Sequence, residues 1–294
     1  MRRRIAFITG LLAVNLAVAG IYAAGASRPV QSIFAKDNLV AWCIVPYDAA
    51  KRGPEERAQM LNRLGIQKVA YDWRAEHVPT FEEEILAYQK HHLEYFAFWD
   101  WHPSIAPLIK KYGIKPQIWK SFGAPAAGTE EEKVRAAAKA LMPLVDQTRA
   151  LGCKLGLYNH GGWGGEPKNL VAVCEYLRKT APADHVGIVY NLHHGHGHIK
   201  DFAESLTLMM PYLLCVNLNG MNTDAKPMIL PLGKGEHEAK MLEIIAQSGY
   251  HGPIGILGHR PEVDAEKSLT ENLQGLKQLL QKMGDQKALA TFEK

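Results

Sequence analysis

Eight times between Leu39 and Leu257 a short apolar run stops at a polar cluster, and each time a stretch with helical spacing follows. The runs are Leu39–Val45, halted by Pro46; Lys68–Tyr71, tipped by Asp72, Arg74 and Glu76; and Leu93–Phe98, tipped by Trp99, Trp101 and His102. Lys115–Trp119 is the weakest, because Pro116 lacks a ladder donor. Leu155–Tyr158 leads into Asn159, His160 and a glycine-rich turn, and Val186–Tyr190 into Asn191, His193 and His194. Leu213–Val216 leads into Asn217 and Asn219, and Ile254–Leu257 into Gly258, His259 and Arg260. Short continuous apolar runs between turn signals suit strands buried on both faces, as in a parallel sheet.

The intervening stretches carry helix punctuation. Pro54 opens one and Gly65 closes it; Thr80–Glu83 and Thr129–Glu132 have capping spacing; Pro211 and Gly249 end two more. Eight such alternations over residues 38–284 predict one (β/α)₈ TIM barrel, with a leader over 27–37 and a frayed, charged tail over 285–294. The competing arrangement is an open doubly wound sheet, but no Gly-x-Gly-x-x-Gly follows the first strand. In a barrel the C-terminal strand ends form the site. That gathers Asp72, Arg74, Glu76, Trp101, His102, Asn159, His160, Trp163, Asn191, His194, Asn217, Asn219, His259 and Arg260.

Arg2–Arg4 followed by the apolar stretch Ile5–Ala24 and small residues to Ala26 predicts a secretion signal over 1–26. The stretch is also long enough to remain as an anchor, so membrane contact is expected only through an uncleaved N-terminus. Either way the remainder is exported, periplasmic or extracellular. Three of the formal charges behind the net +4 belong to that arginine trio. The rest is close to neutral, with no basic stripe, so nucleic acid is not expected as a partner. Cys43, Cys153, Cys174 and Cys215 could oxidise in an exported chain, but buried free thiols are commoner beside apolar runs.

Three segments carry a resemblance: Leu232-Gly-Lys-Gly-Glu236 with the following Gly249-Tyr-His-Gly-Pro253, Tyr158-Asn-His-Gly-Gly162, and Asn191-Leu-His-His194. Together they resemble the xylose-isomerase-like barrels, which include sugar epimerases and endonuclease-IV-type enzymes, over roughly residues 38–280. The resemblance implies a divalent metal held by carboxylates and a histidine on strands five to eight. Those positions here are Tyr158, Asn191, Asn217 and Leu257. The usual carboxylates are missing, which leaves the cofactor unknown. If a metal binds, His160, His194 and His259 are the ligands on offer. Only His194 matches the family position in its tract; His193, His196 and His198 are read as exposed loop residues.

The expected partner is a small carbohydrate, because tryptophans such as Trp101 and Trp163 crowd the strand ends and aromatic faces stack on sugar rings; Trp42 is read as core. The expected chemistry is proton abstraction next to a carbonyl: isomerisation, epimerisation or elimination on a keto-sugar. Glu76 or His160 takes the proton, His194, Asn191 and Asn217 orient hydroxyls, and Arg74 or His259 stabilises the oxyanion. Asp72, His102, Asn159, Asn219 and Arg260 are further substrate contacts. The alternative is a catalytically inactive sugar-binding barrel that lost the family metal. DNA cleavage would need an acidic metal cluster and a basic groove, and the sequence offers neither.

Overall fold

A computed structural model describes residues 32–126 and 128–293. The predicted signal over 1–26 lies outside the described residues. Eight parallel strands close into a barrel in sequence order. They are β1 (Leu39–Trp42), β2 (Lys68–Asp72), β3 (Glu94–Trp99), β4 (Gln117–Lys120), β5 (Leu155–Tyr158), β6 (Val186–Asn191), β7 (Leu213–Leu218) and β8 (Ile254–Leu257). Closure is made by β1 against β8, with Leu39 opposite Ile254 and Trp42 opposite Leu257. The helices between them are α1 (Pro54–Leu64), α2 (Phe81–Lys90), α3 (Ile105–Tyr112), α4 (Glu130–Leu151), α5 (Pro167–Thr180), α6 (Phe202–Met209), α7 (Glu238–Gln247) and α8 (Ala265–Met283). Among the described residues no helix is long and apolar enough to cross a membrane.

Side chains alternate across each strand, so each run divides between two cores. Leu39, Ala41, Leu155, Leu157, Ile254 and Ile256 pack outward under the helices. Val40, Trp42, Trp119, Tyr158, Val189 and Leu257 fill the barrel. Trp42 lies 4.8 Å from Trp119 and 6.0 Å from Tyr158, ring centre to ring centre. Rings of this size fit because neighbouring inward positions are glycine. A Cβ on Gly156 would lie 3.0 Å from Trp119 Cδ1 and 2.6 Å from Val189, and one on Gly255 would lie 1.7 Å from Asn217 Oδ1.

Several local expectations are corrected. β1 ends at Trp42, not Val45, because Cys43 takes a left-handed conformation (φ 56°) that turns the chain out of the sheet. Pro116 precedes β4 and takes no ladder position. The Thr80 capping box does not form, because residues 75–80 already coil as a 3₁₀ turn that runs straight into α2. The box at Thr129 does form, with Thr129 N donating to Glu132 at 2.8 Å. The C-terminal residues are docked, not frayed: Asp285 caps a last turn, α9 (Gln286–Leu289), Ala288 is fully buried, and Lys36 N donates to Thr291 at 2.9 Å. All four cysteines are free and buried.

Candidate active site

At the C-terminal end of the barrel a cavity of about 50 Å³ opens between β1, β2, β3, β5, β6 and β8. Its wall holds Trp42, Cys43, Tyr47, Asp72, Arg74, Trp99, Tyr158, His160, His193, His194 and His259. Thus Asp72, Arg74, His160, His194 and His259, singled out from the sequence, do meet at one mouth.

Asp72 closes β2 and is 1 % exposed. Its Oδ1 accepts from the Val45 amide at 3.4 Å, while Oδ2 has no hydrogen-bond partner in the chain. Burial lifts its carboxyl to about 7, against the pull of Arg74 and the Val45 amide. Arg74 spends its guanidinium on neutral oxygens, donating to the Trp73 carbonyl at 2.7 Å and the Tyr47 hydroxyl at 2.9 Å. It lies over the Tyr47 and Trp99 rings, 5.5 Å from each centre, where a cation meets the negative face of the π system.

Opposite stand four imidazoles. His193 and His194 are brought inward by a tight turn after β6, which Asn191 stabilises by accepting from the His193 amide at 3.4 Å. Their ring centres are 3.6 Å apart; His194 is 4.5 Å from His160, and His193 is 5.5 Å from His259. Burial, followed by mutual repulsion, holds His193 well below the ordinary histidine range and His194 at about 3. Burial and Arg74 hold His259 at about 4. These three rings are therefore neutral at pH 7, each with one donor and one acceptor to offer. His193, expected in an exposed loop, is 3 % exposed and faces the cavity, a correction that follows from the turn at Asn191.

Other expected contacts are placed elsewhere. Glu76 is exposed and lines a separate depression with Asp48, Arg52 and His77, because the 3₁₀ turn after Arg74 carries it away from the mouth. Arg260 is turned back onto α8, where it pairs with Glu271 at 2.7 Å. Trp163 donates to Glu130 at 2.7 Å on the rim. His102 packs on the edges of Trp73 and Phe81, and Trp101 packs against the outer core. Asn219 donates to the Gly220 carbonyl at 2.8 Å. Asn217 is fully buried beside Cys215 and Gly255.

Asn159 ties β5 to β6. Its amide donates to the Asn191 carbonyl at 3.1 Å and its oxygen accepts from the Asn191 amide at 2.7 Å. Asn159→Ala strips two buried backbone partners, so urea unfolding is expected to show a loss of about 2–3 kcal/mol. An unchanged midpoint would remove Asn159 from the frame of the site. Of the wall residues, Tyr47 and Cys43 carry no sequence signal beyond following β1. Trp42 is core, as read, yet its indole also reaches the cavity wall and donates to Tyr158 Oη at 3.3 Å.

The positions that the resemblance assigned to a divalent ion do not form a cage. Tyr158 Oη accepts from the Asn191 side chain, Asn217 is an amide, and Leu257 is hydrocarbon. His160, His194 and His259 share the cavity wall without forming a metal-holding group among the described residues, and the His259 ring packs against Tyr47, centres 3.8 Å apart. Among the described residues no group of three or more His, Cys, Asp or Glu side chains is arranged to hold an ion. A donor set of phenol, two amides and an aliphatic chain does not fit a divalent metal, which wants anionic oxygen or imidazole.

Fold and mouth together define a (β/α)₈ barrel whose polar strand ends converge on a small, largely uncharged pocket. Residues 104–279, from the approach to α3 through most of α8, match the xylose isomerase-like TIM barrel family, and the chain belongs to that family. Similar solved structures include 3-keto-D-glucoside 4-epimerase YcjR from E. coli, at 13% identity and TM-score 0.59, covering 84% of this chain and 100% of the other. D-allulose 3-epimerase from Methylomonas sp. is similar at 13% identity and TM-score 0.60, covering 84% and 99%. The IOLI protein, solved with a zinc atom, is similar at 12% identity and TM-score 0.62, covering 83% and 98%. No curated protein matches the chain.

Proposed function

We propose that this protein acts on a small carbohydrate by moving a proton next to a carbonyl, as an isomerase, an epimerase or a keto-sugar lyase. The observation that carries this reading is the meeting of one carboxyl, one guanidinium and neutral imidazoles inside an aromatic wall at the barrel mouth. A cavity of about 50 Å³ has room for one or two water-sized groups. A sugar ring therefore rests at the rim, near Trp99 and Tyr47, and sends one carbonyl end inward. The epimerase names carried by proteins of the same fold agree with this choice of chemistry, and fold alone does not assign it. Export belongs to the same proposal and rests on the N-terminal residues of the sequence; the mass of the mature protein from its native host tests it.

The test is turnover by the purified chain on ketohexoses, aldoses and 3-keto-glucosides, followed by NMR with and without EDTA. Conversion that the chelator leaves unchanged is expected, because the strand-end donors suit hydrogen bonding better than metal binding. Tight sugar binding without turnover would instead identify a sugar-binding barrel, the reading favoured by the lost carboxylates at β5 to β8.

A further inference from the structure

We infer that Asp72, at the end of β2, is the residue that takes and returns the substrate proton, so that the acid/base work sits on a strand where the family's carboxylate positions do not lie. The inference rests on the proposed carbohydrate chemistry and assigns its base. Among the described residues Asp72 is the one carboxylate in the cavity wall. One oxygen is anchored on the Val45 amide, and the other is buried with no partner in the chain. An orphaned carboxyl oxygen in a buried polar wall is costly unless something enters to meet it.

Three of the four histidines in the same wall, His193, His194 and His259, are poorer bases, which leaves His160 as the one rival to Asp72 there. His194 and His259, held at about 3 and about 4, accept a proton only weakly at neutral pH. Glu76 lies in a different depression. A carboxyl lifted by burial to about 7 is matched to proton transfer near neutrality, where rate balances the fraction ionised against basic strength.

The step balances within the site. Asp72 in its carboxylate form takes the proton from the carbon beside the carbonyl. The C–H pair becomes the new C=C bond, and the carbonyl π pair moves onto oxygen. Arg74 faces the same cavity and stabilises that oxyanion by charge. The Asp72 carboxylic acid then returns its proton in one of two ways: to the former carbonyl carbon, while the hydroxyl proton of the first carbon passes to the oxyanion and leaves a new carbonyl there, or to a departing oxygen, while the oxyanion reforms the carbonyl, the enolate pair shifts to the next C–C bond and the C–O bond breaks.

The experiment follows wash-in of deuterium from D₂O at the carbon beside the carbonyl, with D-fructose, D-allulose and a 3-keto-glucoside as probes. Wild type is compared with Asp72→Asn, Asp72→Glu and Glu76→Gln, and sugar binding is measured by calorimetry. Asp72→Asn keeps an oxygen for the Val45 amide and is expected to bind sugar yet exchange about 10²–10⁴-fold more slowly. Asp72→Glu keeps the carboxyl on a longer stem and is expected to recover part of the exchange, which makes the test independent of whether the asparagine variant folds. Exchange kept by Asp72→Asn, or lost in Glu76→Gln instead, overturns the assignment and leaves the carbohydrate reading intact. No exchange by wild type with any probe overturns both.

Discussion

Glu84→Ala is expected to lower the stability of the barrel by about 3–5 kcal/mol, among the largest losses from any single side chain here. Arg57 on α1 places Nη1 2.7 and 2.6 Å from the two Glu84 oxygens on α2, and both side chains are buried. Arg57 Nη2 also donates to the Arg52 carbonyl at 2.6 Å, so its position is fixed from two sides. Removing Glu84 leaves a guanidinium in the interior without its counter-charge, and truncating one partner of a buried pair costs far more than the pair is worth. Replacing both partners, as in Arg57→Met with Glu84→Leu, is expected to recover most of the loss. Urea unfolding of the single and double variants measures this directly. A double variant as unstable as Glu84→Ala would show that packing, not charge, sets the penalty.

The same pair reaches the site. Arg57 is one of the charges that pull the Asp72 carboxyl down against burial.

The barrel was legible because its strands are buried on both faces and therefore read as unbroken apolar runs, each ending where the backbone leaves the sheet. The mouth was legible only in part, for a physical reason. Within a strand, alternation decides which side chain points inward, as Val40 and Trp42 against Leu39 and Ala41 show. One residue beyond the strand, the path of the loop decides instead. Glu76 and Asp72 stand four positions apart, yet a 3₁₀ turn sends one outward while the other closes the cavity. His193 and His194 both face inward because a side chain, Asn191, shapes their turn. Asn159 sits at a strand tip like His160 but spends its amide on the neighbouring strand. Arg260 found Glu271 on α8, a partner eleven residues on that no local pattern announces.

Acid is expected to destabilise this protein at pH values where most barrels are near their maximum stability. The cause is the packing of His193, His194 and His259 as neutral rings. In the unfolded chain each takes a proton as the pH falls through about 6.5. In the folded chain His259 waits until about 4 and His194 until about 3. Across that window the unfolded state binds more protons, so stability falls as pH falls. Asp72 works in the opposite sense. Its folded value of about 7 lies above its unfolded one, so its contribution is complete at low pH and is lost as pH rises through 7. Two or three histidines outweigh one aspartate, at ~1.4 kcal/mol per proton per pH unit before the partial exposure of His194 and His259 reduces it. The net loss between pH 6 and pH 4.5 is therefore about 2 kcal/mol. Denaturant midpoints across this range check the slope. His194→Gln combined with His259→Gln should flatten the acid limb, and Asp72→Asn should raise stability above pH 7 while steepening the fall below it. An acid limb unchanged in the double histidine variant would trace the loss to groups outside the cavity, and the neutral cluster would cease to explain it.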